Sequence, residues 1–415
     1  MKTGKTPITL TTYLAIMSIS LVVNLPGLAV TPMLGTLSTV FPHTTQLEKQ
    51  LLTVLPNLLI IPFVLLSGKL SLTRHKIAVV FTGLIVFAGC AIGYLFAHSM
   101  TELIIYSCLL GCGAGLLIPL ATGLIADTFS GRYRMTQMGI KSGISNSSLV
   151  VATLAVGWLS HGGWHLPFVV YLIALVPLVL AVGLRGIPSS ELNPAPQTGD
   201  PNTMTDPVTQ KPKNEKIVKG FYINRVWSLI AVYAFITFAT IAITYYGPFF
   251  IEKHNWSVDL TGTITSIFFL FILIPGFTIS WIVKVLKGLT FFVCALSMTA
   301  GLALFAFIPE PWAICVGSAL AGFGYGTCQP LIYDKASRAV TSDNKATLAL
   351  SFVLTANYLA VVLTPFILDG IRDIFRAGNS TIFVFMVCFI LLTVFSVMTF
   401  IFRNSFALAV RKDYY

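Results

Sequence analysis

Residues 111–119 read Gly111-Cys112-Gly113-Ala114-Gly115-Leu116-Leu117-Ile118-Pro119, and residues 322–330 read Gly322-Phe323-Gly324-Tyr325-Gly326-Thr327-Cys328-Gln329-Pro330. Three glycines and a proline recur at one spacing, 211 residues apart, each set inside an apolar block. The same offset carries Asn146 onto Asn357, so the register holds over about 35 residues and a loop. Gly-x-x-x-Gly by itself says that two helices approach closely, and Gly111/Gly115 and Gly322/Gly326 are expected to do that. A shared register says more. Repeated halves with a site at their interface are the architecture of alternating-access carriers.

Outward from the repeat, the chain is 56% hydrophobic and 10% charged over 415 residues, too little charge to cover a water-soluble surface. The apolar residues cluster in blocks of about 20, the length that crosses the hydrocarbon as helix. Strand-type alternation is absent, which excludes a membrane β-barrel pattern. The blocks fall near 9–33, 48–68, 77–97, 101–126, 135–159 and 165–184, then 224–249, 259–284, 288–308, 311–333, 345–368 and 379–403. Between the two sets, Pro188, Pro194, Pro196, Pro201, Pro207 and Pro212 stand among polar residues that cannot bury enough to order themselves. The reading is therefore a six-helix bundle at 1–186, a disordered cytoplasmic linker at 187–221, a second bundle at 222–403 and a cytoplasmic tail at 404–415.

The net charge of +11 is distributed as topology and not as a nucleic-acid face. Placing both termini inside puts 21 of the 26 basic residues on the cytoplasmic side; four lie outside and Lys141 lies within the fifth block. Lys2 and Lys5 before the first block are read as flanks of a span, not as a signal peptide. All seven cysteines sit in apolar blocks, and no metal-spaced set, nucleotide loop or nucleophile elbow appears. No enzyme activity, cofactor, metal or nucleic-acid partner is expected; the partners are the lipid bilayer and a small-molecule substrate, and a monomer is expected.

Three stretches resemble the major facilitator superfamily, particularly its twelve-span drug and metabolite exporters. Gly68-Lys69-Leu70-Ser71-Leu72-Thr73-Arg74-His75-Lys76 is similar to the family's loop after the second span, with Gly68, Leu70, Ser71 and Lys76 matching. Where the family's acid joins a charge network at the cytoplasmic gate, this chain has Leu72. The Gly111–Pro119 stretch with Asp127 resembles the fourth-span pattern, and the family's proton-linked arginine position is Ser107 here. Arg134, Gly139 and Gly143, followed by Gly157-Trp158 and Gly163-Trp164-His165-Leu166-Pro167-Phe168, resemble the passage from span five to span six. The resemblance implies an all-α membrane protein of the major facilitator fold, with 12 transmembrane helices in two pseudo-symmetric six-helix bundles. It also implies gating roles for Gly68, Lys69, Arg74 and Lys76, and protons as the coupling ion.

Ionisable groups at membrane depth are costly and are functional candidates. Lys141 qualifies, with Gln137, Ser145 and Ser148 on its helical face. Two readings stand: a charge that attracts an anion, or a lysine that snorkels to the interface. Tyr233, Thr237, Thr240 and Thr244 form a hydroxyl stripe in the seventh block, and Ser351, Thr355 and Tyr358 form another in the eleventh. Each suits a cavity wall or helix packing. Asn24, Asn57 (with Thr53), Gln329 and Tyr333 are further cavity candidates, whereas Asn146 and Asn357 are expected to bond between helices. Tyr245-Tyr246-Gly247-Pro248 is expected to loosen the seventh helix. The leading expectation is export of an amphipathic or weakly anionic compound; uptake of a nutrient, or a non-transporting sensor on a carrier fold, remains open.

Overall fold

The computed structural model describes residues 8–27, 40–41, 46–72, 76–159, 162–186, 217–218, 220–256, 259–342, 345–378 and 380–410. Helices follow the apolar blocks. They are α1 Leu10–Leu21, α2 Gln46–Leu70, α3 Lys76–Leu95, α4 Met100–Thr128, α5 Gly131–Leu159 and α6 over 166–186, the last wound partly as tighter 3-10 helix. Two short strands, β1 Ile217–Val218 and β2 Phe221–Tyr222, precede α7 Ile223–Lys253, α8 Asp259–Leu286, α9 Thr290–Phe307, α10 Pro311–Arg338, α11 Ala346–Ile374 and α12 Thr381–Ile401. Seven helical runs among the described residues are long and apolar enough to cross a membrane; one of them, Leu260–Phe307, holds α8 and α9 in succession. The fold is that of an all-α membrane protein, with twelve helical segments among the described residues.

The glycine repeat explains why the two halves look alike. A Cβ at Gly111 would meet the Pro56 carbonyl at 2.5 Å, and one at Gly115 would meet Phe63 Cβ at 2.6 Å and the Ile60 carbonyl at 2.9 Å, so both glycines seat α4 on α2. Gly113 turns to α3, where a Cβ would lie 3.1 Å from the Gly83 carbonyl. In the second half Gly322 and Gly326 seat α10 against Phe268 and Ile272 of α8, and Gly324 turns to Cys294 and Met298 of α9. Backbone-on-backbone contact of this kind is how helices associate where lipid supplies no hydrophobic drive.

The halves meet at the face that carries the chain ends. On α5, Gly139 and Gly143 cross Gly276 of α8: a Cβ at Gly139 would lie 2.5 Å from the Gly276 carbonyl, and one at Gly276 2.6 Å from Gly143 N. Thr136 shares a hydrogen bond with Ser280 at 2.6 Å. Gly68 of α2 packs on Ser351 and Leu348 of α11, and Gly123 of α4 packs on Thr347. Arg134 donates to the Phe129 carbonyl at 2.9 Å and to Ser337 Oγ of α10 at 3.1 Å.

Several expectations need correction. The first block was read as one span over 9–33, but the helix stops at Leu21 and the chain turns through Gly27. Pro26 lacks a backbone donor and Gly27 takes φ +75°, so the turn cannot continue as helix. The serines of α5 repair the break. Ser145 Oγ donates to the Ser20 carbonyl at 2.9 Å and Ser148 Oγ to the Leu21 carbonyl at 2.6 Å, satisfying acceptors near the end of α1. In α7 the Gly-Pro pair does not loosen the helix, which runs on to Lys253. The last residues of the expected linker form the β1–β2 hairpin, joined to the α10–α11 connection by Tyr222 N to the Ala339 carbonyl at 3.1 Å; residues 187–216 and 219 lie outside the described residues. In the described part of the tail, the Phe406 and Ala409 carbonyls accept from Lys335; residues 411–415 lie outside the described residues.

Asp127 closes the last turn of α4. It is 3% exposed and pairs with Lys76, itself 1% exposed, at 2.9 Å. The charge pair thus ties α3 to α4 although Leu72 occupies the family's acidic position. Removing one partner of a buried pair costs about 3–5 kcal/mol. Lys76→Ala is therefore expected to lower the melting temperature of the purified protein clearly; an unchanged melting curve would remove the pair from the stability of this half.

Candidate functional site

Lys141 stands ten residues into α5, or about 15 Å along it. It is 3% exposed, and its Nζ lies 5.1 Å from the centre of the Tyr333 ring of α10. No hydrogen bond or carboxylate reaches it among the described residues. A charge at this depth costs about 2.5–3.5 kcal/mol on insertion scales, and a desolvated cation–π contact returns about 2 kcal/mol. The ammonium remains undercompensated, and its side chain does not reach the interface as a snorkelling lysine would.

Around it the two halves share a polar network. Ser142 of α5 donates to Gln329 Oε1 of α10. Gln329 Nε2 donates to Tyr233 OH of α7 at 3.1 Å, and Tyr233 OH shares a 2.8 Å bond with Tyr333 OH. Thr237 donates to Asn357 Oδ1 of α11 at 2.6 Å, and Tyr325 OH donates to the same atom at 3.2 Å. The Tyr233 and Tyr325 rings stack, and Tyr333 stands edge-on to Tyr233. On the other side Tyr13 OH donates to Gln137 Oε1 at 3.0 Å, and Asn24 Nδ2 to Asn146 Oδ1 at 3.4 Å.

The structure sorts the remaining candidates. Ser145 faces α1 and its hydroxyl proton is held by a carbonyl there, so it does not donate into the cavity. Thr240 donates to its own helix at Ile236. Thr355 and Thr244 carry buried hydroxyls with no hydrogen-bond partner. Tyr358 and Asn57 are half-buried on α11 and α2. Asn146 donates to the Ser142 carbonyl as well as accepting from Asn24, so the repeat-related asparagines both join neighbouring groups on the inner faces. Lys69 is exposed beside Gly68, and Arg74 lies outside the described residues.

Three participants were missed: Tyr325, Ser142 and Tyr13. Tyr325 was passed over as a spacer in the glycine run. Yet Gly322 and Gly326 occupy one face of α10 and Gly324 another, which leaves 325, 329 and 333, spaced i, i+4, i+8, on the inward face.

Tyrosine, amide and lysine groups thus meet between the helices of the two repeats. The family model of the Major Facilitator Superfamily matches residues 9–365. The chain belongs to the Major Facilitator Superfamily. Family and fold are those of transporters, not of enzymes, and this is a multi-span membrane transporter of that superfamily. The multidrug transporter protein MdtP of Bacillus subtilis (strain 168) is 31% identical over 124 residues, 29% of this chain and 23% of MdtP. The quinolone resistance protein NorA of Staphylococcus aureus (strain COL) is 23% identical over 281 residues, covering 67% of this chain and 68% of NorA. The chain thus matches less than a quarter of MdtP and about two thirds of NorA. Among solved structures of the superfamily, the transporter FucP in the outward conformation superposes with TM-score 0.66 at 13% identity, over 95% of this chain and 99% of FucP.

Proposed function

We propose that this superfamily transporter is a secondary active exporter of the cell membrane, working by alternating access on small amphipathic compounds with a weakly anionic group. Lys141 carries the reading: a buried cation between the halves, under an aromatic ring and with no carboxylate among the described residues, is a site for an anion. Tyr233, Tyr325 and Tyr333 give the apolar, hydrogen-bonding walls that a drug-sized ligand needs, and the unpartnered hydroxyls of Thr244 and Thr355 are available to water or substrate. Export as the direction is supported by relatives named for multidrug transport and quinolone resistance.

Both termini, with the closed face, are assigned to the cytoplasm on the lysine and arginine distribution. Alternating access then requires the contacts at that face to open while the opposite face closes over the site. Proton antiport supplies the drive and one chain forms the transport unit. Purified protein reconstituted in liposomes with an imposed proton gradient, and dansylglycine as an aromatic carboxylate probe, tests the proposal. Gradient-dependent movement of the probe against the proton flow is expected. Movement with the proton flow would make the protein an uptake symporter, and binding without movement would make it a sensor.

A further inference from the structure

A cavity of about 700 Å³ opens at the face opposite the chain ends, between the ends of α7 and α11 and the start of α12. Its lining includes Tyr246, Phe249, Lys253, Asp369, Arg372 and Thr381. Asp369 is already engaged: its Oδ1 accepts from Tyr246 OH at 2.8 Å and pairs with Arg372 Nη2 at 3.1 Å. Asp369 Oδ2 still offers an acceptor, whereas the buried groups left without partners are donors. Arg372 Nε is buried with no hydrogen-bond partner, and so is the hydroxyl of Thr381, a residue only 4% exposed. Lys253 has neither an ion pair nor a hydrogen bond among the described residues. The wall at Ser380 and Thr381 is the N-terminus of the 21-residue helix α12, whose first-turn backbone donors and positive dipole end face the same region.

Buried donors without acceptors cost about 1–3 kcal/mol each, and two of them beside an unpaired ammonium mark a place for an acceptor-only group. Lys253 and Arg372 against Asp369 leave one net positive charge. Phe249, 59% exposed, adds an apolar wall beside these donors. We infer that this cavity binds an anionic amphiphile, its oxyanion head held by Lys253, Arg372 Nε and the Thr381 hydroxyl and its chain laid along Phe249. A bilayer phospholipid and a free fatty-acid-like anion share that chemistry. The site lies apart from Lys141 and stands whether or not the chain exports anions.

The test uses the full-length purified protein in neutral detergent. Dioctanoyl phosphatidylglycerol and sodium decanoate are titrated separately, with dioctanoylglycerol as the uncharged control, and binding is read by native mass spectrometry and by melting temperature. Saturable binding of at least one anion, absent for dioctanoylglycerol, is expected. Lys253→Ala, a change at an exposed side chain, is expected to weaken it about tenfold, a tenfold change being about 1.4 kcal/mol. Arg372→Gln and Thr381→Val are expected to weaken it further. Binding of phosphatidylglycerol alone identifies a lipid site, and binding of decanoate alone a site for free amphiphiles. No saturable binding of either anion, or equal binding by wild type and Lys253→Ala, overturns the inference.

Discussion

Lys141→Met is expected to abolish transport while leaving the protein folded. Methionine keeps the length and apolar body of the lysine stem and removes the charge. If an anionic substrate group is held by the ammonium, the lost charge-assisted contact is worth about 1.5–3 kcal/mol, or roughly 10- to 150-fold in substrate affinity. Stability should move the other way, because no carboxylate among the described residues compensates the charge that methionine removes. The pair of readouts separates function from folding. Melting temperature unchanged or raised, with probe movement lost, supports the role; near-normal movement by Lys141→Met would sink it. Tyr333→Phe retains the ring over Nζ and should keep most activity, whereas Tyr333→Leu should not.

Gly276→Val is expected to give the second large effect, at the crossing of α5 and α8. The new Cβ would come 2.6 Å from Gly143 N, 2.8 Å from Gly143 Cα and 2.9 Å from the Gly139 carbonyl. These are backbone atoms and cannot rotate away. The strain falls on the crossing between the halves, so they are expected to part there. Destabilising the closed face by about 3 kcal/mol shifts the balance between conformations roughly 150-fold. Transport should fail with the face near the chain ends held open. Ser337→Cys reports this, since Ser337 is buried beneath Arg134 in the present state. A membrane-impermeant maleimide should label it in the Gly276→Val background and spare it otherwise. Continued protection with normal transport would show that the crossing does not set the gate.

Much of the fold was legible because its determinants are local or periodic. Glycines 211 residues apart were visible as a repeat, and their targets repeat too: Pro56 and Phe268, like Ile60 and Ile272, stand 212 residues apart. The break after Leu21 was in plain view at Pro26-Gly27 but invisible to hydropathy, which weighs side chains and not backbone angles. Burial of Asp127 was illegible for a different reason. A helix end looks solvated when read alone, and it becomes interior only when a neighbouring helix supplies the Lys76 ammonium. In the site, Lys141 stood out by charge, whereas the tyrosines around it could be assigned only after the glycines had fixed which face of α10 turns inward. Ser145 shows the converse: its helical position is on the Lys141 face, but the open carbonyls of α1 compete for its proton.

The engagement of Lys335 with the carbonyls of Phe406 and Ala409 bears on how the molecule is made. Those acceptors belong to the last described residues of the chain, so α10 enters the bilayer long before the ribosome has delivered them. Until then the buried ammonium at the end of α10 lacks these two acceptors. The contact can therefore form only after translation has passed Ala409. A chain truncated just after α12 would keep every described helix and still leave the Lys335 ammonium without these acceptors, and it is expected to melt below the full-length protein.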